Sequence, residues 1–280
     1  MLWTPQKGIL RCEHNSPAVA SQLMPGTQIT SGASASTKGA WSTLIAATAF
    51  DSYFMFISLA GLGAPNNAWR GAVDIGIGAA TEEVIIADLL CGGAAGYGST
   101  SGLNGPPKTW AFPLYIPSGS RLAGRYASDR TSFAAFLGIW LYGGHGSPPF
   151  RVGTKVTTYG TGTVPGGTAI TPGASGAEGA WTQIISATSE DHFAVFPSFQ
   201  VNDGSATAKT YGVDIGIGAA TEEELASQYW YGTNANEAQG GPFPFMPTWA
   251  DMPSGSRLCM RAQCNGALDA AYEASLHAVS

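Results

Sequence analysis

Charged side chains are scarce in this sequence. Asp, Glu, Lys and Arg make up 11% of 280 residues, under half of the roughly 25% usual in soluble domains. The surface must therefore consist largely of Ser, Thr, Gly, Ala and Asn. The 13 basic residues are outnumbered by 19 acidic ones, for a net charge of −6, and they form no cluster. Nucleic-acid binding needs grouped Lys and Arg to meet phosphates, so that class of function is not expected. Cysteine is rare too. The four residues Cys12, Cys91, Cys259 and Cys264 are too few and too unevenly placed for a disulfide framework, and free thiols are expected. No apolar run reaches the ~20 residues that span a bilayer. The stretch "MLWTPQKGILRCEHN" lacks the basic-then-apolar order of a signal peptide, so folding in a cytoplasm away from membranes is the expectation.

Catalytic signatures are missing as well. The sequence contains no HExxH, GxSxG or CxxC, and its four histidines, at 14, 145, 192 and 277, have no counterparts at matching positions elsewhere in the chain. No enzyme activity, cofactor or obligate metal is expected from such a pattern.

What the chain does have is glycine, 38 residues, with 17 prolines and a 44% hydrophobic content. That is enough apolar material for a core and many turns to interrupt it, which points to an all-β protein with little helix. It also has a repeat. "VDIGIGAATEE" stands at 73–83 and, unchanged, at 213–223. "GAWSTLIAATAFDSYFMFISL" (39–59) aligns with "GAWTQIISATSEDHFAVFPSF" (179–199) at the same offset, and "PSGSRL" recurs at 117 and 253. Landmarks in one order, with length changes confined to Gly- and Asn-rich segments, indicate two tandem copies of one domain. The expected division is an N-terminal arm at 1–25, a first copy at 26–148 and a second at 149–280, parted by the Gly- and Pro-rich "GGHGSPPFRVG".

Within each copy the apolar positions alternate. Tyr53, Met55, Ile57 and Leu59 match Phe193, Val195, Pro197 and Phe199, all apolar, and period two marks a strand with one buried face. In "VDIGIG" the same rule turns Val73, Ile75 and Ile77 inward and Asp74 outward. In "RLAGRY" and "RLCMRA" it leaves Arg121, Arg125, Arg257 and Arg261 outside. Each copy thus reads as a jelly-roll-like β-sandwich of about eight strands. "TEEVIIADLLCGG" and "TEEELASQYWYG" carry helix punctuation; the β-branched Val84, Ile85 and Ile86 favour a strand in the first copy, whereas Glu224, Leu225 and Ala226 favour a helix in the second.

Four candidate sites remain. "GIGAAT" has two glycines of a dinucleotide fingerprint but lacks the third and the βαβ setting, which leaves a strand running into a tight turn. Asp74 and Asp214 with the glutamates at 82, 83, 222 and 223 resemble a calcium-type acidic turn or a solvated one. The four arginines can pair across strands, Arg121 and Arg125 with Asp74 and Arg257 with Asp214, or present a partner-binding face. Aromatics in segments that differ between copies, Tyr97, Trp110, Tyr231 and Trp249 above all, suit anchors for a neighbouring subunit or stacking platforms for a host-surface glycan.

The order "GAW", "VDIGIGAATEEVIIADLL", "FPLYIPSGSRLAGR" resembles a group of tailed-bacteriophage virion proteins in which a β-domain with similar Asp-Ile-Gly and Gly-Ser-Arg motifs occurs singly or in tandem. The resemblance spans most of both copies and carries no catalytic residue. It implies a non-catalytic structural subunit located in the virion, a capsid decoration or cement protein first, with a tail or adaptor component and a receptor-binding module as alternatives. Its partners would be capsid or tail proteins and further copies of itself; a trimer of two-domain chains would present six similar domains.

Overall fold

The structure is a computed structural model that describes residues 10–15, 26–61, 69–78, 82–93, 108–144, 148, 150–173, 176–201, 209–218, 223–234, 237–239, 247–266 and 272–280. Among them every regular element is a strand. The first half contains β1 (Leu10–His14), β2 (Thr27–Thr30), β3 (Ser42–Ile45), β4 (Ser52–Gly61), β5 (Trp69–Ile77), β6 (Glu83–Gly93), β7 (Lys108–Phe112), β8 (Leu122–Ser128) and β9 (Ala134–Gly144). The second contains β10 (Val156–Tyr159), β11 (Thr168–Ile170), β12 (Thr182–Ile185), β13 (His192–Val201), β14 (Lys209–Ile217), β15 (Glu223–Asn234), β16 (Glu237–Gln239), β17 (Thr248–Met252), β18 (Leu258–Cys264) and β19 (Tyr272–Val279).

The strands form four antiparallel sheets, two in each half. One sheet of the first half runs β1-β9-β4-β7, with β2 also on β9, and the other runs β3-β8-β5-β6. The second half repeats both, as β10-β19-β13-β17 with β11 on β19, and β12-β18-β14-β15-β16. Apart from the β5–β6 and β14–β15 hairpins and the added β1, β10 and β16, sequential strands alternate between the facing sheets, as in a jelly roll. The expected fold class is therefore the observed one, and the halves differ chiefly by the added β16.

The face assignment from periodicity holds for β4: Met55, Ile57 and Leu59 are buried in the core, while Phe54, Phe56 and Ser58 are half-buried on the other side. Val195 and Phe199 occupy the matching core in the second half.

Two expectations need correction. Leu10–His14, placed by sequence in a free arm, pairs residue for residue with β9 from Leu10↔Gly144 to His14↔Trp140, so the first sandwich begins before residue 26. The segment after the second acidic turn is the strand β15, like β6 in the first half, and not a helix. Propensity was overridden by the ladder: β15 lies along β14 from Ile217↔Glu223 to Lys209↔Thr233, with the same register shifts as β6 on β5. Tertiary pairing of that extent outweighs a few tenths of a kcal/mol per residue.

The halves pack on one another. The segment between them bridges by backbone hydrogen bonds, Tyr115 N to Gly153 O at 2.8 Å and Gly153 N to Pro113 O at 2.9 Å. Beyond it, the outward edge of β6 abuts the outer face of the second half's β10, β13 and β19, and β16 also touches β6. The first half covers Phe196 and Ser198 on the even-numbered face of β13, and Ala194 and Gln200 beside them are equally inaccessible.

Candidate functional site

The eleven-residue repeat is structural in both halves. Asp74 is buried, contrary to the outward placement, and binds Arg125 Nε at 2.7 Å, Lys38 Nζ at 2.8 Å and the Asp88 backbone N at 2.9 Å. The Arg125 guanidinium lies 4.5 Å over the Trp41 ring. In the second half Asp214 binds Arg261 Nε at 2.8 Å, and Arg261 lies 4.4 Å over Trp181. The indoles explain the first glycine of "GIG": a Cβ on Gly76 would stand 3.0 Å from Trp41, and one on Gly216 2.9 Å from Trp181. The second glycine, Gly78 or Gly218, has φ of +143° or +144° at the turn, where an L side chain is strained. Motif and "GAW" thus form one unit, an Asp–Arg pair capped by Trp over a glycine.

The arginines and Glu82 are likewise tied into the fold. Arg121 pairs with Glu82 and bonds Thr43 Oγ1 at 2.8 Å, and the Arg121 guanidinium holds the Glu82 carboxyl below the usual range. Arg257 bonds Gln183 Oε1 at 3.0 Å, and Asp214 takes Arg261 as its partner where Arg257 was expected. Arg261 is the counterpart of Arg125, opposite Asp214 as Arg125 is opposite Asp74. Arg261 further binds Glu178 at 2.7 Å and Glu224 at 2.8 Å. All four guanidiniums are engaged within their own half. Among the described residues no three His, Cys, Asp or Glu side chains are grouped as metal ligands.

The aromatic candidates divide. Trp110 lies within β7, fully buried in the first core, and is no surface anchor. Tyr97 lies outside the described residues. Tyr231 stands in β15 with its side chain outside the described part. Trp249 is 48% exposed, stacked on Phe193 at 5.8 Å with Phe150 6.4 Å away. One buried amine, Lys108, is lowered to about 8 by desolvation beside Cys91, whose thiol burial pushes up to about 12; a thiol so fully protonated is a poor nucleophile.

A larger aromatic site emerges on the outer face of the sheet β1-β9-β4-β7. Phe54 and Phe56 of β4 stand opposite Tyr142 and Trp140 of β9, which stand opposite Cys12 and His14 of β1. Phe56 meets Tyr142 edge-on at 5.4 Å and Phe54 at 5.0 Å, while Phe150 closes on Phe54 at 5.6 Å. An open cleft of about 230 Å³ is lined by Phe56, Ser58, Thr109, Trp140 and Tyr142. The cue was present in the sequence: period two turned Phe54 and Phe56 outward, and two outward Phe on a low-charge strand is an anomaly on a solvated face.

The same face of the second half is covered. Ser198 corresponds to Ser58, Phe196 to Phe56, His277 to Trp140 and Thr158 to His14, by matching register of the two sheets. There the first half docks: Leu90 N donates to Ser198 Oγ at 3.0 Å, Thr158 Oγ1 donates to Ala87 O at 2.9 Å, and Phe196 lies 4.5 Å from Phe112. His277 is fully buried between Ser198 Oγ at 2.8 Å and Thr158 Oγ1 at 3.2 Å, and desolvation lowers its pKa to about 3, so it is neutral.

No protein-family model matches the chain, and no curated protein is similar to it. Among solved structures, the N-terminal CBM22-1-CBM22-2 tandem domain of Xyn10C from Paenibacillus barcinonensis is 11% identical with a TM-score of 0.27, covering 98% of this chain and 92% of that one. The infectious bursal disease virus Gt strain structure is 10% identical with a TM-score of 0.25, covering 99% and 72%. The VP2 subviral particle of infectious bursal disease virus is 11% identical with a TM-score of 0.23, covering 98% and 72%. Superpositions this loose carry no argument about function.

Proposed function

We propose that the protein is a non-catalytic structural subunit of a bacteriophage particle, a decoration or cement protein of the head, assembled in the host cytoplasm. The carrying observation is the half-buried aromatic face built of Phe54, Phe56, Trp140 and Tyr142 on the sheet β1-β9-β4-β7, whose counterpart in the second half is fully buried. Rings on rigid strands present large contact area with little side-chain entropy to lose, as assembly contacts require. The titratable groups that are buried support the same reading, because Asp74, Asp214 and His277 are each tied into a pair or packing contact that holds the fold. Immunogold labelling of intact particles tests it. Label over the head shell supports the proposal; particles without label, or label confined to the tail, contradict it.

A second reading has its own observation. The cleft sets three rings beside the hydroxyls of Ser58 and Thr109, a combination that stacks and hydrogen-bonds sugar rings. Titration with oligosaccharides that quenches tryptophan fluorescence in wild type and not in Trp140→Ala would favour this glycan-binding module over the decoration protein.

A further inference from the structure

We propose that the open aromatic face of the first half is the docking site for the second half of another copy of this chain, which repeats head-to-tail the contact already made inside the molecule. The inference holds whether or not the assembled object is a virion.

Within the chain, one surface of the first half, the outward edge of β6, sits on another surface of the second half, the outer face of β13 and β19. These are two different surfaces, so the contact is heterologous and each half retains the partner surface that the other has used. The first half retains its outer sheet face. The second half retains the edge of β15, whose backbone lies in the same register as β6: Trp230 faces Gly212 as Leu90 faces Ala72. Among the described strands only β16 pairs along that edge, from Gly232 to Asn234, which is beyond the positions matching Ala87 and Leu90.

The receiving groups are also repeated. Ser58 stands where Ser198 accepts the Leu90 amide, and it would accept the Trp230 amide. His14 stands where Thr158 donates to the Ala87 carbonyl, and it would donate to the Ser227 carbonyl. Leu90 fits a small space, since a Cβ on Gly167 would lie 2.6 Å from its Cδ1; the receiving face of the first half is an open cleft of about 230 Å³. A strand edge that no described strand pairs with at these positions and an apolar sheet face are each a liability when left uncovered. One contact between copies covers both.

A heterologous contact makes a prediction that a back-to-back contact does not. In sedimentation analysis the wild type, 28.8 kDa as one chain, should form species larger than two chains as concentration rises. Trp140→Glu, which spoils the face, and Trp230→Lys, which spoils the edge, should each be folded monomers. Ser227→Lys replaces the second variant should Trp230→Lys not fold. An equimolar mixture of the two should give a species of two chains and nothing larger, because one good face and one good edge survive between them. Three results overturn the proposal: a wild type that stays monomeric, single variants that assemble as wild type does, or an assembling wild type whose mixed variants remain monomeric.

Discussion

The hydroxyl of Ser198 in the second half accepts a hydrogen bond from the backbone amide of Leu90 in the first, at 3.0 Å in a fully buried setting. An edge strand that would otherwise expose unpaired amides is capped by a side chain of the neighbouring domain. The two jelly rolls are thereby coupled, and neutral His277, bonded to the same hydroxyl, belongs to the coupling.

That coupling should be acid-sensitive. His277 titrates near 3 in the fold, against about 6.5 when unfolded, so below 6.5 the unfolded chain binds a proton that the folded chain does not. Stability should be fully present above pH 6.5 and fall by about 1.4 kcal/mol per unit as pH drops toward 3. Burial shifts His192 in the same direction. Between pH 6.5 and 5, before most carboxylates titrate, His277→Gln should flatten the decline in urea-unfolding free energy, leaving the part due to His192. An unchanged slope would show that His277 does not carry it.

The Asp–Arg–Trp unit should matter unequally in the two halves. Asp74→Ala takes the carboxylate from Arg125 and leaves Lys38 with Asp88 alone beside a buried gap, and should cost about 3 kcal/mol. Asp214→Ala should cost less, because Arg261 keeps Glu178 and Glu224. Chemical denaturation of both variants decides; equal losses would contradict the account.

Gly76→Ala should push Trp41 off its seat and destabilise by about 1–3 kcal/mol, with a change in near-ultraviolet circular dichroism from the displaced indole. A neutral substitution would remove the packing explanation for the repeated glycine.

Trp110→Ala should destabilise by about 3–5 kcal/mol as a core truncation, whereas Trp249→Ala, at 48% exposure, should change stability by under about 1 kcal/mol. Thermal unfolding of the pair separates the core residue from the surface one.

Much of the fold was legible in the sequence. Alternation at Met55, Ile57 and Leu59 identified the core face, and the copies at 73–83 and 213–223 identified the duplication, because both follow from local period and identity. What failed depended on long-range placement. Trp110 lies next to a Gly- and Pro-rich stretch, and nothing local says that its strand is drawn under the sheet. Leu10–His14 has little apolar alternation and becomes a strand only because β9 offers an edge. Asp74 is outward by period yet buried, because Lys38, Arg125 and Trp41 come from elsewhere to cover it. The aromatic face lay half in view: Phe54 and Phe56 could be turned outward from sequence, but Trp140 and Tyr142 joined them only through the register of β9 on β4.

Electron cryomicroscopy of the assembled wild-type protein tests the central claim most directly. The account predicts that each first-half face bearing Phe56 and Trp140, other than the terminal one of an open assembly, is covered by the β15 edge of a neighbouring chain, in the same relative orientation that the β6 edge takes to β13 within each chain. Assemblies in which that face remains open to solvent, or in which two such faces meet each other, would contradict it.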